Sequence, residues 1–389
     1  MKKILFVTSS RADYSPSKSL IKLFKKNLNN NFYFLVTGSH LSKKDGYTID
    51  EIIEDKIKID FKINILLFKK KYLKKTTQIV EITFKKFAQF FSKFKPNLLI
   101  ILGDRFEILP IVYAAYLNNI CIAHINGGEV TEGSIDEGIR HSVTKMSYFH
   151  FCSTETNKQR IINFGENPER VKNFGYIGID TLFKSKLLSR QNIMDKLNVS
   201  FNKKNLILTF HPETFKTEDQ NKKKALLIIN TLVKYKDINF FITASNIDKG
   251  GKEINNIFKK VCRKYQNFIY FKSLGEKYYY SLLNFCDGTI GNSSSGIIEC
   301  PSFKKGTINL GDRQQGRSIS KSIIQSSIDK KSIDFAIRKL YSKNFKKKLY
   351  SFNNPYAKKD TAKNIFNFIK KTKIPKNNIK KFFSLKNPT

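Results

Sequence analysis

The chain has 389 residues, 40% of them apolar, with 71 Lys and Arg against 32 Asp and Glu, a formal net charge of +39. That length predicts two domains, each with enough apolar residues for a core. No uninterrupted apolar stretch approaches the roughly 18 residues of a membrane span. Lys2 and Lys3 precede only the short run 4–8, which reads as a first strand and not a leader. The charge invites a nucleic-acid partner, but the lysines are spread over the whole chain and are not interleaved with aromatics as in a nucleic-acid module. A compositional bias explains them better. Cys121, Cys152, Cys262, Cys286 and Cys300 form no CxxC and no Cys/His cluster of ligand spacing. They read as small core residues of a reducing, cytoplasmic compartment.

Residues 3–8 form a buried strand followed by the loop SSRADYS. Pro16 predicts a helix to about residue 28, with Ser15 as its N-cap. The loop lacks GxGxxG, so a dinucleotide fingerprint is missing. Arg11, beside a helix N-terminus, either attracts a phosphate or is a solvated loop residue. Residues 32–37 form the second strand, ending in GSHLSKKDG, where Gly38 and Gly46 bracket a loop and His40 reads as satisfying a turn. Residues 50–75 are charged and without a clear period. Residues 76–94 have helical spacing and lead to Pro96 and a central strand.

The stretch 98–152 organises the first half. Its apolar runs 98–102, 120–124 and 148–152 alternate with helix-length segments 106–116 and 135–146, the rhythm of βαβ units in a parallel sheet. Gly103, Asp104 and Arg105 follow the first run, and Asn126, Gly127, Gly128 and Glu129 the second. Ligands of open α/β sheets bind at those carboxyl ends. With Asp136 near the start of the next helix, three carboxylates can converge, with Arg105 and His124 nearby. Closely placed carboxylates have their pKa values pushed apart, which suits proton abstraction coupled to protonation elsewhere, and would also suit Mg²⁺. Structural capping is the plain alternative for Asp136.

A capped helix at 153–163, a strand at 171–174 and the stretch GYIGID follow, with a boundary placed at about 181–198. The second half restarts the rhythm. Strands at 206–210, 240–244, 268–271, 288–290 and 307–310 end in His211-Pro212, Asn246, Ser273, GNSSSGIIE and GDRQQGR. Helices at 328–341 and 357–371 close the fold, and the Lys-, Asn- and Pro-rich residues 372–389 read as a loose basic tail. GNSSSGIIE is the strongest local signal. Gly291 frees the backbone, Ser293–Ser295 offer hydroxyls and N–H groups, and a helix begins at Ile297 and Ile298, so a diphosphate fits. Glu299 can accept from vicinal ribose hydroxyls. His211 can contact phosphate, transfer a proton or be structural. Arg313 can neutralise a leaving diphosphate or form a surface ion pair.

Taken together, the motifs resemble the hydrolysing UDP-N-acetylglucosamine 2-epimerases of sialic and legionaminic acid biosynthesis. SRADYS, GSHL, GDRFE, HINGGEV, SIDEGIRH, FHPET, NID, GNSSSG and NLGDRQQGR occur in the expected order over about residues 1–370. The resemblance implies an α/β fold of two Rossmann-like domains facing a cleft, as in GT-B glycosyltransferases. The expected division is 1–182 and 183–355, with a helix at 356–371 crossing back to the first domain before the tail. UDP would lie on the second domain, its diphosphate on Ser293 and Ser294 and its ribose on Glu299. Leu274 would line the uracil pocket, and Asn246, His211 and Arg313 would complete the site. Arg11, Ser15 and Arg105 would reach in from the first domain. Asp104, Glu129 and Asp136 match the family's catalytic carboxylates, and His211 is grouped with them.

The implied reaction eliminates UDP to 2-acetamidoglucal, then adds water to give N-acetylmannosamine, with no cofactor and no metal required. The implied protein is a homo-oligomer, a dimer or tetramer, whose partners are a UDP-sugar and UDP. Asn126 and Ser295 depart from the family pattern and are read as tuning substrate choice. Close relatives acting on a UDP- or GDP-linked diacetylbacillosamine, and the non-hydrolysing epimerases, stay open as alternatives.

Overall fold

A computed structural model describes residues 2–43, 47–66, 76–132, 135–213, 216–245, 250–376 and 379–385. The chain divides into two compact units. The first comprises Met1–Glu129, Asp136–Thr181 and Lys358–Thr389, and the second Val130–Ile135 and Leu182–Ala357.

The first unit is built on β1 (Ile4–Thr8), β2 (Phe32–Thr37), β3 (Phe61–Ile63), β4 (Leu98–Leu102), β5 (Cys121–Ile125), β6 (Phe149–Cys152) and β7 (Val171–Asn173). Their order is β3-β2-β1-β4-β5-β6-β7, and every pair is parallel. Sheets of this kind are covered by helices on both faces, so the strands read as continuous apolar runs. β1, β4, β5 and β6 are buried along their whole length. Alternate residues feed two cores. Phe6, Leu98 and Ile100 enter one, and Leu5, Leu99 and Ile101 the other. The direction in which the strand order runs reverses between β1 and β4, which is the topological switch point of a Rossmann sheet.

The second unit repeats the plan with β8 (Lys204–Thr209), β9 (Ile238–Thr243), β10 (Phe268–Phe271), β11 (Gly288–Gly291), β12 (Gly306–Leu310) and β13 (Ile323–Ser326). The order is β10-β9-β8-β11-β12-β13, again all parallel, with the switch point between β8 and β11. Both units are therefore Rossmann-like. No helix among the described residues is long and apolar enough to cross a membrane.

Several local expectations are corrected. The first helix spans Arg11–Leu28 and carries Pro16 inside it, so Ser15 is a helical residue and not the N-cap. Ser10 starts the helix instead. Its carbonyl accepts from Tyr14 N–H at 3.0 Å, while the Asp13 carboxylate reaches back to Ser10 N–H at 2.7 Å, half of a capping box. A strand, β13, stands where none was expected. The helix of GNSSSGIIE begins at Ser294, not at Ile297, and ends at Ile298 in a 3₁₀ turn. The described part of the tail is not loose. Phe383 packs beside Ile161, Ile162 and Val171, Phe383 N–H donates to Gly165 O at 2.9 Å, and Lys380 binds Glu166 at 2.7 Å. Phe383 and Lys380 hold it, against the bias of its polar composition.

The helix Thr361–Lys371 belongs to the first unit. It buries Ile365, Phe366 and Ile369, and Phe366 meets Phe24 edge-on at 5.1 Å. Each such side chain contributes about 1.5–3 kcal/mol on full burial. Its start is fixed by a distant acid. Asp180 accepts from Thr361 N–H at 3.1 Å and Ala362 N–H at 2.5 Å, both buried. Asp180→Ala strands those two donors and is expected to lower unfolding stability by about 1–3 kcal/mol. Denaturant titration measures it, and an unchanged midpoint would show that the cap is dispensable.

Candidate active site

Each unit gathers polar residues at its own switch point. In the first, the loop after β1 is pinned by Asp13, which is 3% exposed and accepts from Ser9 N–H at 2.6 Å, Ser10 N–H at 2.7 Å and Thr8 Oγ1 at 3.1 Å. Burial raises its pKa, opposed by the Ser10 hydroxyl. This loop presents Arg11, whose Nε lies 3.5 Å from Glu51, a partly exposed pair that contributes little to stability. Ser15 lies one turn further along the helix and is partly buried. His40 is wholly buried between Thr8 Oγ1 at 3.0 Å and Thr48 Oγ1 at 2.7 Å, in the 3₁₀ turn Gly38–Leu41. Burial lowers its pKa to about 4, so it stands neutral.

At the ends of β4 and β5 the organising group is Arg140, one turn into the helix Asp136–Met146 and only 2% exposed. Its Nε donates to Asp104 at 2.6 Å, and its Nη1 donates to Glu137 at 2.7 Å and to the Glu129 carbonyl at 2.9 Å. One guanidinium thus ties together the loop after β4, the loop after β5 and the helix that begins with Asp136. Arg105 Nε donates to the buried Glu107 at 2.7 Å and feels the charges of Asp13 and Asp136. His141 Nε2 lies 2.9 Å from Glu137. Asp104, Glu129 and Asp136 are therefore brought to one end of one sheet, with Asp13, Glu137 and two arginines among them.

The Glu129 backbone is placed by the turn Asn126-Gly127-Gly128. Gly128 has φ +76°, and a Cβ there would fall 2.5 Å from Asn157 O. Asn126 has φ +66°, a region where Asn is favoured among residues bearing a side chain, and its Oδ1 accepts from Ser153 at 2.9 Å. Its place in the sequence is accounted for by this turn, and it is 8% exposed. His124 is buried between Gly103 O at 3.1 Å and Thr144 Oγ1 at 3.2 Å. Burial takes its pKa to about 3, which makes it a neutral strut.

In the second unit the hub is Asn292, fully buried at the end of β11. Its side chain accepts from His211 N–H at 2.7 Å and donates to His211 O at 2.8 Å. Its carbonyl accepts from Arg313 at 3.0 Å and Gln314 at 2.9 Å. The ends of β8 and β11 and the loop after β12 are locked to one residue. Gly291 lets them close up, since a Cβ there would lie 1.8 Å from Thr209 O. Burial and the Arg313 charge lower the His211 pKa to about 3. A neutral imidazole can donate or accept a hydrogen bond but does not retain a proton near neutrality. Ser293 caps the short helix Ser294–Ile298 through Ser295 N–H, with Ser294 partly buried beside it. Ser295 Oγ meets the Tyr279 hydroxyl at 2.8 Å. Burial pushes the Glu299 carboxyl up to about 7, against a hydrogen bond from Ser295. Leu274 sits in an apolar cluster with Ile193, Ile207 and Leu282. Asn246 lies outside the described residues, as do Ser134 and Thr214 of the quoted motifs.

Arg140, Asp13, Asn292 and Gln314 were given no role on sequence grounds, although all lie inside quoted motifs. The spacing Ser10-x-x-Asp13 is a capping signal that could have been read. Nothing local marks the reach of Arg140 to Asp104 or of Asn292 to His211, because those partners are distant in sequence.

The UDP-N-acetylglucosamine 2-epimerase family model matches residues 24–370. The chain belongs to that family. It is 35% identical over 346 residues to the GDP/UDP-N,N'-diacetylbacillosamine 2-epimerase (hydrolyzing) of Campylobacter jejuni, covering 89% of each. It is 35% identical over 371 residues to polysialic acid biosynthesis protein P7 of Escherichia coli, covering 95% of this chain and 94% of that one. Its fold matches the UDP-GlcNAc 2-epimerase of Neisseria meningitidis solved with UDP-GlcNAc, with a TM-score of 0.82 and 18% identity over 95% of this chain and 100% of that one. The resemblance to the hydrolysing 2-epimerases is borne out by these relatives, and the chain is an enzyme of the nucleotide-sugar 2-epimerase type.

Arg140→Met leaves Asp104 and Glu137 without their shared cation. Because both carboxylates are about a quarter exposed, the expected loss is about 1–3 kcal/mol, less than for a fully buried pair. Guanidinium unfolding of wild type and variant decides it. Equal stability would mean that water replaces the guanidinium at no cost.

Proposed function

We propose that this enzyme hydrolyses UDP-N-acetylglucosamine to N-acetylmannosamine and UDP for sialic acid synthesis. The observation that carries the reading is the cluster on Arg140, which holds Asp104, Glu137 and the Glu129 backbone at the ends of β4 and β5. Such a set suits proton transfer, where positioned acids and bases are required. The second unit offers what a departing diphosphate needs. Arg313 supplies charge, Ser293 and Ser294 supply donors, and neutral His211 can hydrogen-bond without competing for a proton.

In the first stage a carboxylate of the first unit removes the C2 proton. The C–H electron pair forms the C1=C2 bond as the C1–O bond breaks, and that pair leaves with UDP. In the second, water adds its hydroxyl to C1 of 2-acetamidoglucal, and C2 takes a proton on the opposite face. Asp104, Glu129 and Asp136 share these transfers, while Arg140 holds Asp104 and the Glu129 segment in place. Arg11, Ser15 and Arg105 contribute to the phosphates, Leu274 to the base, Asn246 to the nucleotide and Glu299 to the ribose. A second reading, a UDP- or GDP-linked diacetylbacillosamine as substrate, is favoured by the Campylobacter relative, as similar as the polysialic acid protein.

NMR of the protein incubated with UDP-N-acetylglucosamine in D₂O tests this directly. Free N-acetylmannosamine carrying deuterium at C2 is expected, with Asp104→Asn, Glu129→Gln and Asp136→Asn each slower by about 10²-fold or more. Turnover of only the diacetamido sugar would move the assignment to the second reading, and UDP-N-acetylmannosamine as product would reject hydrolysis.

The Glu299 carboxyl gives a pH test. Its pKa is raised to about 7 by burial, so the carboxylate, the better acceptor for ribose hydroxyls, predominates above that pH. UDP affinity is expected to rise as pH passes upward through about 7. Phosphate ionisation falls in a similar range, so Glu299→Gln is the control. Calorimetry should show a weaker rise in the variant; the same rise in both proteins would remove Glu299 from the nucleotide site.

A further inference from the structure

The family model ends at residue 370, yet residues 379–385 return to the first unit. They meet it at three points. Lys380 Nζ donates to Glu166 at 2.7 Å and to Ser147 O at 2.6 Å. The Phe382 ring seats on Gly165, where an added Cβ would fall 2.2 Å from it. Phe383 packs against the cluster of Cys152, Ile161, Ile162 and Val171, with its N–H on Gly165 O.

These contacts fall on the two helices that support the carboxylates. Glu166 is wholly buried, and its second lysine is Lys145, 2.8 Å away, from the last turn of the helix Asp136–Met146. Lys145 also donates to Phe164 O at 2.9 Å, and its Nζ lies 4.9 Å from the centre of the Phe382 ring. Ser147 follows that helix and its N–H donates back to Val143 O at 3.1 Å. The tail thus grips the C-terminal end of the helix whose N-terminal end presents Asp136 and Arg140. Phe383 reaches the other support, the helix Glu155–Asn163. Its Arg160 donates to Gly128 O, and a Cβ at Gly128 would fall 2.8 Å from Ile161 Cγ1. Ile161 therefore belongs both to the cluster that receives Phe383 and to the packing behind the Gly128-Glu129 peptide.

We propose that Lys380, Phe382 and Phe383 are positioning residues, a brace that holds the Glu129 turn and the helix Asp136–Met146 in the places that proton transfer requires. The proposal rests on the reading that Glu129 and Asp136 transfer protons. Close-packed side chains transmit strain, and reacting groups tolerate only about 0.5 Å of error. A cavity at Phe383 frees Ile161 to move away from Gly128. Loss of Lys380 leaves Glu166 to Lys145 and His150, so the acid keeps partners while the tail loses its anchor.

The test uses the full chain in two paired variants. The disruptive pair is Lys380→Met with Phe383→Ala. The conservative pair is Lys380→Arg with Phe383→Leu, which keeps a cation and most of the packed volume. The substrate is UDP-N-acetylglucosamine, or the diacetamido nucleotide sugar if that is what wild type turns over. In the disruptive pair kcat is expected to fall by about 10-fold or more, on the way to the roughly 10²-fold that a misplacement of about 1 Å can cost. KM and calorimetric UDP affinity should stay near wild type, the mark of an interaction that matters only in the transition state. Backbone amides of residues 126–129 and 136–141 should exchange faster with D₂O. The conservative pair should restore kcat and slow exchange. A merely structural tail would lower the melting temperature and leave kcat per folded chain and the exchange of those two segments unchanged. Wild-type kcat in the disruptive pair, or unchanged exchange at both segments, overturns the brace. If Glu129→Gln turns over as fast as wild type, the proton-transfer reading fails instead, and the exchange alone decides whether the tail holds the two segments. Should the disruptive pair not fold, Phe383→Ala by itself decides.

Discussion

A parallel strand covered on both faces can carry chemistry only at its ends. That constraint shapes both units. β4, β5, β11 and β12 are buried throughout, so every side chain along them is committed to packing or to a matched polar pair. Polar groups that meet a ligand must follow the last residue of a strand. The strand order then selects which ends matter, because neighbouring loops splay apart where the order reverses. Asp13 and Asp104 follow β1 and β4 on the two sides of one reversal, and His211 and Asn292 follow β8 and β11 on the two sides of the other.

At each reversal one buried residue keeps the splayed loops in register. Arg140 does so with charge and Asn292 without it. The difference fits what each must hold. Arg140 faces Asp104 and Glu137, whose negative charges would otherwise repel. Asn292 faces backbone groups of β8 and donors from the loop after β12, which need matched hydrogen bonds and no charge. An asparagine supplies one donor face and one acceptor face on a short stem, which is what a peptide group requires. The cationic Arg313 is among the groups held on that neutral carbonyl.

The sequence made the alternation of strands and helices legible because apolar periodicity is local. The helix at 76–94 was read to its end residues, and the runs of β4, β5 and β6 to within one residue. β13 escaped because Ile323–Ser326 is short and half polar. Pro16 drew the helix start to the wrong place, since a proline is usual in a first turn, while Asp13 had set it five residues earlier. Strand order was beyond local reading, for it depends on pairings such as Ile4 with Leu98. The motifs named the acids but not what holds them. Arg140 reaches Asp104 across 36 residues, and Asn292 reaches His211 across 81.

Hydrogen-bonded acids in this fold fall into two kinds. Asp13 and Asp180 each place both oxygens on backbone N–H groups. They are saturated, and they fix the chain. Glu299 has one oxygen supported through Ser295 and the other without a partner among the described residues. The two kinds look alike in sequence. Saturation separates them, because an acceptor already filled by the backbone has nothing to offer a ligand. A carboxylate oxygen shielded from water and left without a donor carries a desolvation cost that a saturated one does not.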